Sequence, residues 1–457
     1  MEAGLFRFLR FSLGLEGEVK GFLDGRKGAF DWDACYQFAK RQTLVGVLFD
    51  GIQRLPKELA PTRPLLLRWL SDSESIRRRN MRMDRASAYI YNKVCAAGFR
   101  CCILKGQGNA LLYPHPSSRT PGDVDVWVMA NREELRHIAL SLTEGDGSSL
   151  QESLNHIGLT VHGVSMELHS TPALLNSPLH NSRLQKWLKR NADLQCSNRI
   201  ALPNNAGEVA VPTLSFNIIY QLCHLFHHCF YEGVGLRQIV DYYFVLMNTD
   251  FSGNTDGVSG NTDCDGVLSN TDFTDFTDKV SGNTDEDGVL SNTDFTDNTD
   301  RIGGNAESDG SLMNTDCTDF TDSSSGGVGE VDSGGALVAL QEELKWLGLG
   351  EFAGAVMYVL RKVMGLDEKR MICAPDERRG RLLLEEIMAG GNFGHYDERN
   401  HFGQGTLWHN IQRFRRDWRM LRFYPSEALS EPLFRACHFL WRWKQKHIGM
   451  PKERNLN

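Results

Sequence analysis

The stretch Leu104-Lys105-Gly106-Gln107-Gly108, followed by Arg119 and then Gly122-Asp123-Val124-Asp125-Val126-Trp127-Val128, decides how the chain reads. Its pattern is a glycine turn, a short helix, and a strand bearing two carboxylates. Side chains two apart on a strand share a face. Asp123 therefore lies beside Asp125, with Val124, Val126 and Val128 turned into a core. Like charges held that close repel unless a cation lies between them. Mg²⁺ (or Mn²⁺) suits such a place, taking a few carboxylate oxygens and completing its shell with substrate phosphates.

A third carboxylate follows. Leu159–His169 reads as two short strands turning at Gly163, because Val164, Met166 and Leu168 alternate with Ser165, Glu167 and His169. Glu167 and His169 then share a polar face. If this strand lies beside the Asp123–Asp125 strand, Glu167 completes a three-carboxylate site.

These residues together resemble the nucleotidyltransferase superfamily of the polymerase-β type, which has a glycine turn, Asp-x-Asp on a strand, and a third acidic residue on a later strand. More narrowly, LKGQGNALLYPHPSSRTPGDVDVWV at residues 104–128 is similar to an uncharacterised bacterial branch with a Leu-Lys-Gly, Tyr-Pro, Arg, Asp-x-Asp signature. In that branch an acidic residue and a His lie close together on the following strand, as Glu167 and His169 do here. The resemblance spans residues 25–247 and 336–420. It implies an α+β fold, with a small mixed β-sheet nucleotidyltransferase core between N- and C-terminal helical regions. It also implies NTP as substrate, and transfer of its NMP group to a hydroxyl acceptor (small molecule, protein or RNA) with release of pyrophosphate. Asp123, Asp125 and Glu167 would be the catalytic and metal-holding residues; Lys105, Gly106, Arg119 and His169 would bind substrate. One departure is that Lys105-Gly106 replaces the Gly-Ser or Gly-Gly common at the superfamily's turn, so phosphate binding by a serine hydroxyl is not expected.

Blander readings of the same residues exist. Lys105 is either a phosphate-binding cation at a helix start or a surface lysine. Arg119 is either a bidentate phosphate clamp or a structural partner of Asp123 or Asp125. Gly106 and Gly108 lack the strand–GxGxxG–helix spacing of a dinucleotide site. The rival function is a catalytically inactive nucleotide-binding or interaction protein.

The clearest boundary is compositional. Residues 248–335 hold 20 Asp and Glu against Lys279 and Arg301 alone, so the net charge of −8 conceals a remainder near +10. A basic remainder suits a polyanionic ligand. The acidic stretch repeats Asn-Thr-Asp eight times, and Val258–Asp275 recurs as Val280–Asp297 with one change, Cys264 to Glu286. Its Gly, Ser, Asn, Thr and Asp content buries too little apolar surface to offset chain entropy, so a disordered insertion is expected. A competing idea is calcium binding, since Asn261, Asp263, Asp265, Gly266 and Asp272 have the spacing of a calcium loop, and Asn283–Asp294 repeats it.

The domains expected are 1–95, a helical region; 96–211, the α/β core; 212–247, more helix; 248–335, the insertion; and 336–457, a C-terminal helical region. The first segment has no small-residue cleavage site after a continuous apolar run. Its apolar residues suggest a helix packed on the domain, with Arg7 and Arg10 on the wet side. No run approaches a membrane span. The 11 cysteines form no CxxC pair, which points to a reducing cytoplasm. Oligomeric state is not legible.

Three helical features stand outside the motif. His224, His227 and His228 lie on neighbouring turns, suiting a packed or substrate-facing helix better than a zinc site without an HExxH glutamate. Arg237 and Asp241 are four apart and either pair with each other or line the acceptor pocket. Residues 407–447 interleave aromatic and basic side chains, a pattern that serves nucleic-acid contact or a helix pair with its aromatics turned inward.

Overall fold

The computed structural model describes residues 2–17, 30–143, 145, 147–251, 333–397, 399 and 406–448, with side chains apart from 333–334, 406–413 and 445–448. The repeats and calcium-like loops fall, over 252–332, outside the described residues.

The sheet follows from the alternation seen in the sequence. Strands β1 (Cys101–Leu104), β2 (Val124–Val128), β3 (Gln151–Glu152), β4 (His156–Val161) and β5 (Val164–His169) lie in the order β1-β2-β5-β4-β3. β4 and β5 form the hairpin expected at Gly163, whose φ of +72° tightens the turn. β2 then pairs with β5 in parallel, in the register Asp125↔Glu167. Helix α6 (Arg132–Leu142) stands in the crossover that a parallel pair requires. It is capped by Asn131, whose side chain accepts from the Glu133 and Glu134 amides. β2 starts one residue later than the sequence pattern suggests, so Asp123 sits at its threshold. All five residues of β2 are buried, so both faces are covered.

Helices enclose this sheet. The amphipathic α1 (Glu2–Ser12) buries Leu5, Phe8, Leu9 and Phe11, while Arg7 and Arg10 turn to Glu16. With α2 (Trp32–Arg41), α3 (Val45–Gln53) and α4 (Arg63–Ala96) it forms the N-terminal layer. β1 leads through the short α5 (Gly106–Ala110) towards β2. α7 (Pro178–Ser197) and a two-stranded hairpin, β6 (Arg199–Leu202) and β7 (Gly207–Ala210), follow the main sheet. Next come α8 (Leu214–Tyr231) and α9 (Leu236–Asn248), each buried along most of its length. Beyond the insertion the chain resumes with α10 (Ser333–Trp346), α11 (Gly350–Met364) and α12 (Glu377–Gly390), then α13 (Thr406–Leu421) and α14 (Pro425–Ile448). Among the described residues no helix is long and apolar enough to cross a membrane.

The loop before β2 is held from several sides. Asn80 on α4 donates to the carbonyls of Ser117 and Arg119, each at 2.8 Å, and Arg79 donates to that of Gly122. Ser118 donates to Asp50 on α3, while Arg237 on α9 donates to the carbonyl of Thr120. Gly46 on α3 lies so close that a Cβ there would stand 2.3 Å from the Ser118 carbonyl oxygen. Arg119 itself pairs with neither Asp123 nor Asp125. Its Nε and Nη2 each lie 2.7 Å from the two oxygens of Asp241 on α9, and the Tyr113 hydroxyl also donates to that carboxylate. The structural alternative for Arg119 thus has a different partner from either expected aspartate, and Arg237 and Asp241 do not form the simple pair their spacing suggested. Both Arg119 and Asp241 are buried, so each charge depends on the other.

Asp241→Ala, which strands the Arg119 charge, should cost about 3–5 kcal/mol of stability. The apolar pair Arg119→Met/Asp241→Leu should cost much less. Urea unfolding of the three proteins decides this; equal stability of wild type and Asp241→Ala would show that the pair does not hold the loop.

Candidate active site

The parallel register brings the acidic residues together. Asp125 and Glu167 face each other across β2 and β5, and Asp123 precedes β2 by one residue. One carboxylate oxygen from each of Asp123, Asp125 and Glu167 falls within 4.8 Å of the others. The charge of Asp125, then burial, raises the Asp123 carboxyl above its ordinary range.

Asp125 has two cationic neighbours. Lys105 Nζ is 2.9 Å from Oδ2, and His169 Nε2 is 2.9 Å from Oδ1. Burial works to raise this carboxyl, but Lys105 and His169 more than offset it and hold it well below the usual range. His169 Nε2 also lies 3.3 Å from Glu167. Burial disfavours its charge, yet the two carboxylates push the imidazole up to about 9. Burial likewise opposes ionisation of Glu167, whose carboxyl is nonetheless lowered through its hydrogen bond to His169.

Lys105 reaches this place by an uncommon backbone. At the end of β1 it takes φ +49° and ψ −122°, a conformation L residues rarely adopt. Gly106 follows at φ +33°. Such outliers persist where surrounding contacts over-determine them. Here the Lys105 ammonium is fixed between Asp125 and His224 of α8, 3.1 Å from its Nε2. Lys105 is therefore not the surface lysine of the blander reading.

Helix α8 supplies the opposite wall. Its N-cap Thr213 accepts from the Phe216 amide, and its imidazoles face the carboxylates. His224 and His228 are in contact at 2.9 Å, and His228 reaches Glu232. Burial, with Lys105 and the other imidazoles, depresses His224 well below its ordinary range, and burial with His228 lowers His227 to about 3. His224 thus abuts Lys105, and with His227 and His228 it lines the same cavity as the carboxylates.

A cavity of about 630 Å³ opens over these groups, a size suited to a nucleotide-like ligand. All seven expected site residues except Gly106 bring side chains to it, and Gly106 lines it by its backbone. The sequence reading missed His156, and of the basic and aromatic stretch 407–447 it did not place Arg435, His438 and Arg442 of α14 at the cavity, which all four line. Counting outwards from Val161↔Val164 puts His156 opposite His169, so this signal was present in the hairpin. α14 is anchored by buried Glu427, which accepts from the Asn176 and Ser177 amides. The aromatics of α13 and α14 do not all turn inward: Phe414, Trp418 and Phe439 are about two-thirds exposed.

Comparison with known proteins bears on the same residues. A family model described as an uncharacterised nucleotidyltransferase matches residues 28–259, half of the chain, a span that includes Lys105, Asp123, Asp125, His156, Glu167 and His169 but not the α14 residues. The chain belongs to this uncharacterised nucleotidyltransferase family. No curated protein matches it. Among solved structures it is similar to an antigenic nucleotidyltransferase-like protein from Paracoccidioides brasiliensis, at 15% identity and a TM-score of 0.24, over 36% of this chain and 75% of that one.

The His169 proton gives a pH test on metal-free protein. The folded protein holds it up to about 9, against about 6.5 in an unfolded chain. Its contribution to stability is full below 6.5 and is lost as pH rises through 9. In chelator, the melting temperature of wild type should fall across that window more steeply than that of His169→Gln. Parallel curves would contradict the assignment.

Proposed function

We propose that this chain transfers an NMP group from an NTP to a hydroxyl acceptor, releasing pyrophosphate. The observation that carries the reading is the Asp125↔Glu167 register, which closes three carboxylates around one point within a nucleotidyltransferase family domain. The resemblance to the polymerase-β type superfamily and its bacterial branch belongs to the same reading. So does the division into a catalytic core at 96–211, helical surrounds at 1–95, 212–247 and 336–457, and an insertion at 248–335. The described cysteines are free thiols, which suits a cytoplasmic setting.

The residues fit a hard divalent cation: an all-oxygen donor set, in a place where Asp125 repels a charge on Asp123. Asp123, Asp125 and Glu167 would hold Mg²⁺ or Mn²⁺, which when bound offsets charge on the triphosphate and acidifies the acceptor hydroxyl. Lys105, already 2.9 Å from Asp125, would turn to the phosphates and follow the negative charge as it moves to the leaving pyrophosphate. Glu167 is more accessible than Asp125, with 30% against 9% of its side chain exposed, and would orient the acceptor hydroxyl. Arg119 keeps Nε and Nη2 on Asp241 and its Nη1 is buried, so its part would be to hold the loop before β2 in place, with little direct contact to substrate. Gly106 would present backbone to the phosphates, and His169 would hold Asp125 and Glu167 in place. Most of the acceleration would come from positioning and fixed charge, with no nucleophilic side chain required.

The test is incubation with each α-³²P-labelled NTP and Mg²⁺ or Mn²⁺, in the presence of cell extract as acceptor source. Label should move to protein, RNA or a small molecule, and Asp123→Asn/Asp125→Asn should reduce transfer at least about 100-fold. Metal-dependent nucleotide binding without transfer would favour the inactive-binder reading instead.

A further inference from the structure

A second cluster of metal-ligating groups adjoins the carboxylates and has different chemistry. β4 and β5 pair so that His156 stands opposite His169, with ring centroids 5.1 Å apart. Glu167, two residues before His169, projects from the same face. His156 Nε2 is 3.7 Å from Glu167 Oε1, and His169 Nε2 is 3.3 Å from Glu167 Oε2. One donor atom from each of the three lies within 4.8 Å of the others. Bonds of about 2.0–2.1 Å to a tetrahedral cation put neighbouring donors roughly 3.4 Å apart, so the cluster is already close to ligating dimensions.

We propose that His156, Glu167 and His169 form a second divalent-cation site, of transition-metal type, which shares Glu167 with the carboxylate triad. Imidazole ligands favour Zn²⁺, Co²⁺ and similar d-block ions over Mg²⁺, while the all-oxygen triad favours the reverse. The two sites therefore select different ions from one mixture. All three ligands line the cavity, so the remaining coordination positions face it. Three protein ligands with an open position is the arrangement of a reactive zinc site, whereas structural zinc has four. Asp125 lies 2.9 Å from His169 Nε2, so a cation held by that nitrogen would compete with this contact. His169 Nδ1 has no hydrogen-bond partner among the described residues. With no outer carboxylate to raise the ring's basicity, the site holds its cation exchangeably.

This inference does not depend on nucleotidyl transfer, and its test reads binding. The full chain, stripped with chelator, is titrated with Co²⁺ under excess Mg²⁺ and Ca²⁺, which occupy carboxylate-only sites including any in the acidic repeats. Wild type should take up one equivalent with visible d–d absorption, displaced by Zn²⁺. His156→Ala should weaken uptake about tenfold or more, while Asp123→Asn should leave it nearly unchanged. Should His156→Ala fail to fold by circular dichroism, His156→Gln provides the same comparison. No Co²⁺ uptake under Mg²⁺, or uptake that survives at His156 variants and disappears in Asp123→Asn, would overturn the second site. Loss of transfer activity with Co²⁺ binding intact would overturn only the proposed reaction.

Discussion

The candidate site depends on one pairing: β2 lies parallel to β5 with Asp125 opposite Glu167. A slip of one residue would send Glu167 to the other face and leave Asp123 and Asp125 without a third carboxylate. The register is fixed by what the strands bury. Val124, Val126, Met166 and Leu168 are almost wholly enclosed, so shifting either strand would exchange apolar side chains for charged ones in the core. Charge repulsion within the site is thus sustained by hydrophobic packing around it.

The second constraint acts on the approach to β2. Residues 117–122 are tied to α4 and α9 by hydrogen bonds to their backbone carbonyls and to α3 by the Ser118 hydroxyl donating to Asp50, and Arg119 is tied to Asp241 by a buried bidentate pair. Burying two charges is costly unless their geometry satisfies both. Here Tyr113 adds a further donor to Asp241. The helices at either side of the sheet are therefore part of the site, because they hold the loop that delivers Asp123. Lys105, approaching from β1 in a strained conformation, completes a charge balance in which Asp125 stays ionised while Asp123 resists ionisation.

Much of this was legible in the residues themselves. Period-two alternation marks β5, Gly163 marks its hairpin, and helical spacing marks α1, α4, α8, α9 and α11. Pairings distant in sequence were not legible, since no local pattern encodes them. Nothing near Arg119 names Asp241, 122 residues away, as its partner. The β2–β5 pairing appeared only as a condition on Glu167. His156 pairs with His169 at the end of the β4–β5 ladder away from Gly163, where no local pattern fixes how far the pairing extends. The aromatic and basic pattern of residues 407–447 left two readings open, nucleic-acid contact or an inward-facing helix pair; Phe414 and Trp418 are largely exposed, which the inward pair alone does not explain, while Arg435 and Arg442 line the cavity.

The central claim, that Asp123, Asp125 and Glu167 hold a divalent cation beside a nucleotide, is tested most directly by anomalous diffraction. Crystals grown with Mn²⁺ and a non-hydrolysable NTP analogue should show an anomalous peak within bonding distance of all three carboxylates and of the triphosphate. Nucleotide bound elsewhere, or ordered at this cavity with no Mn²⁺ peak among these residues, would contradict the account.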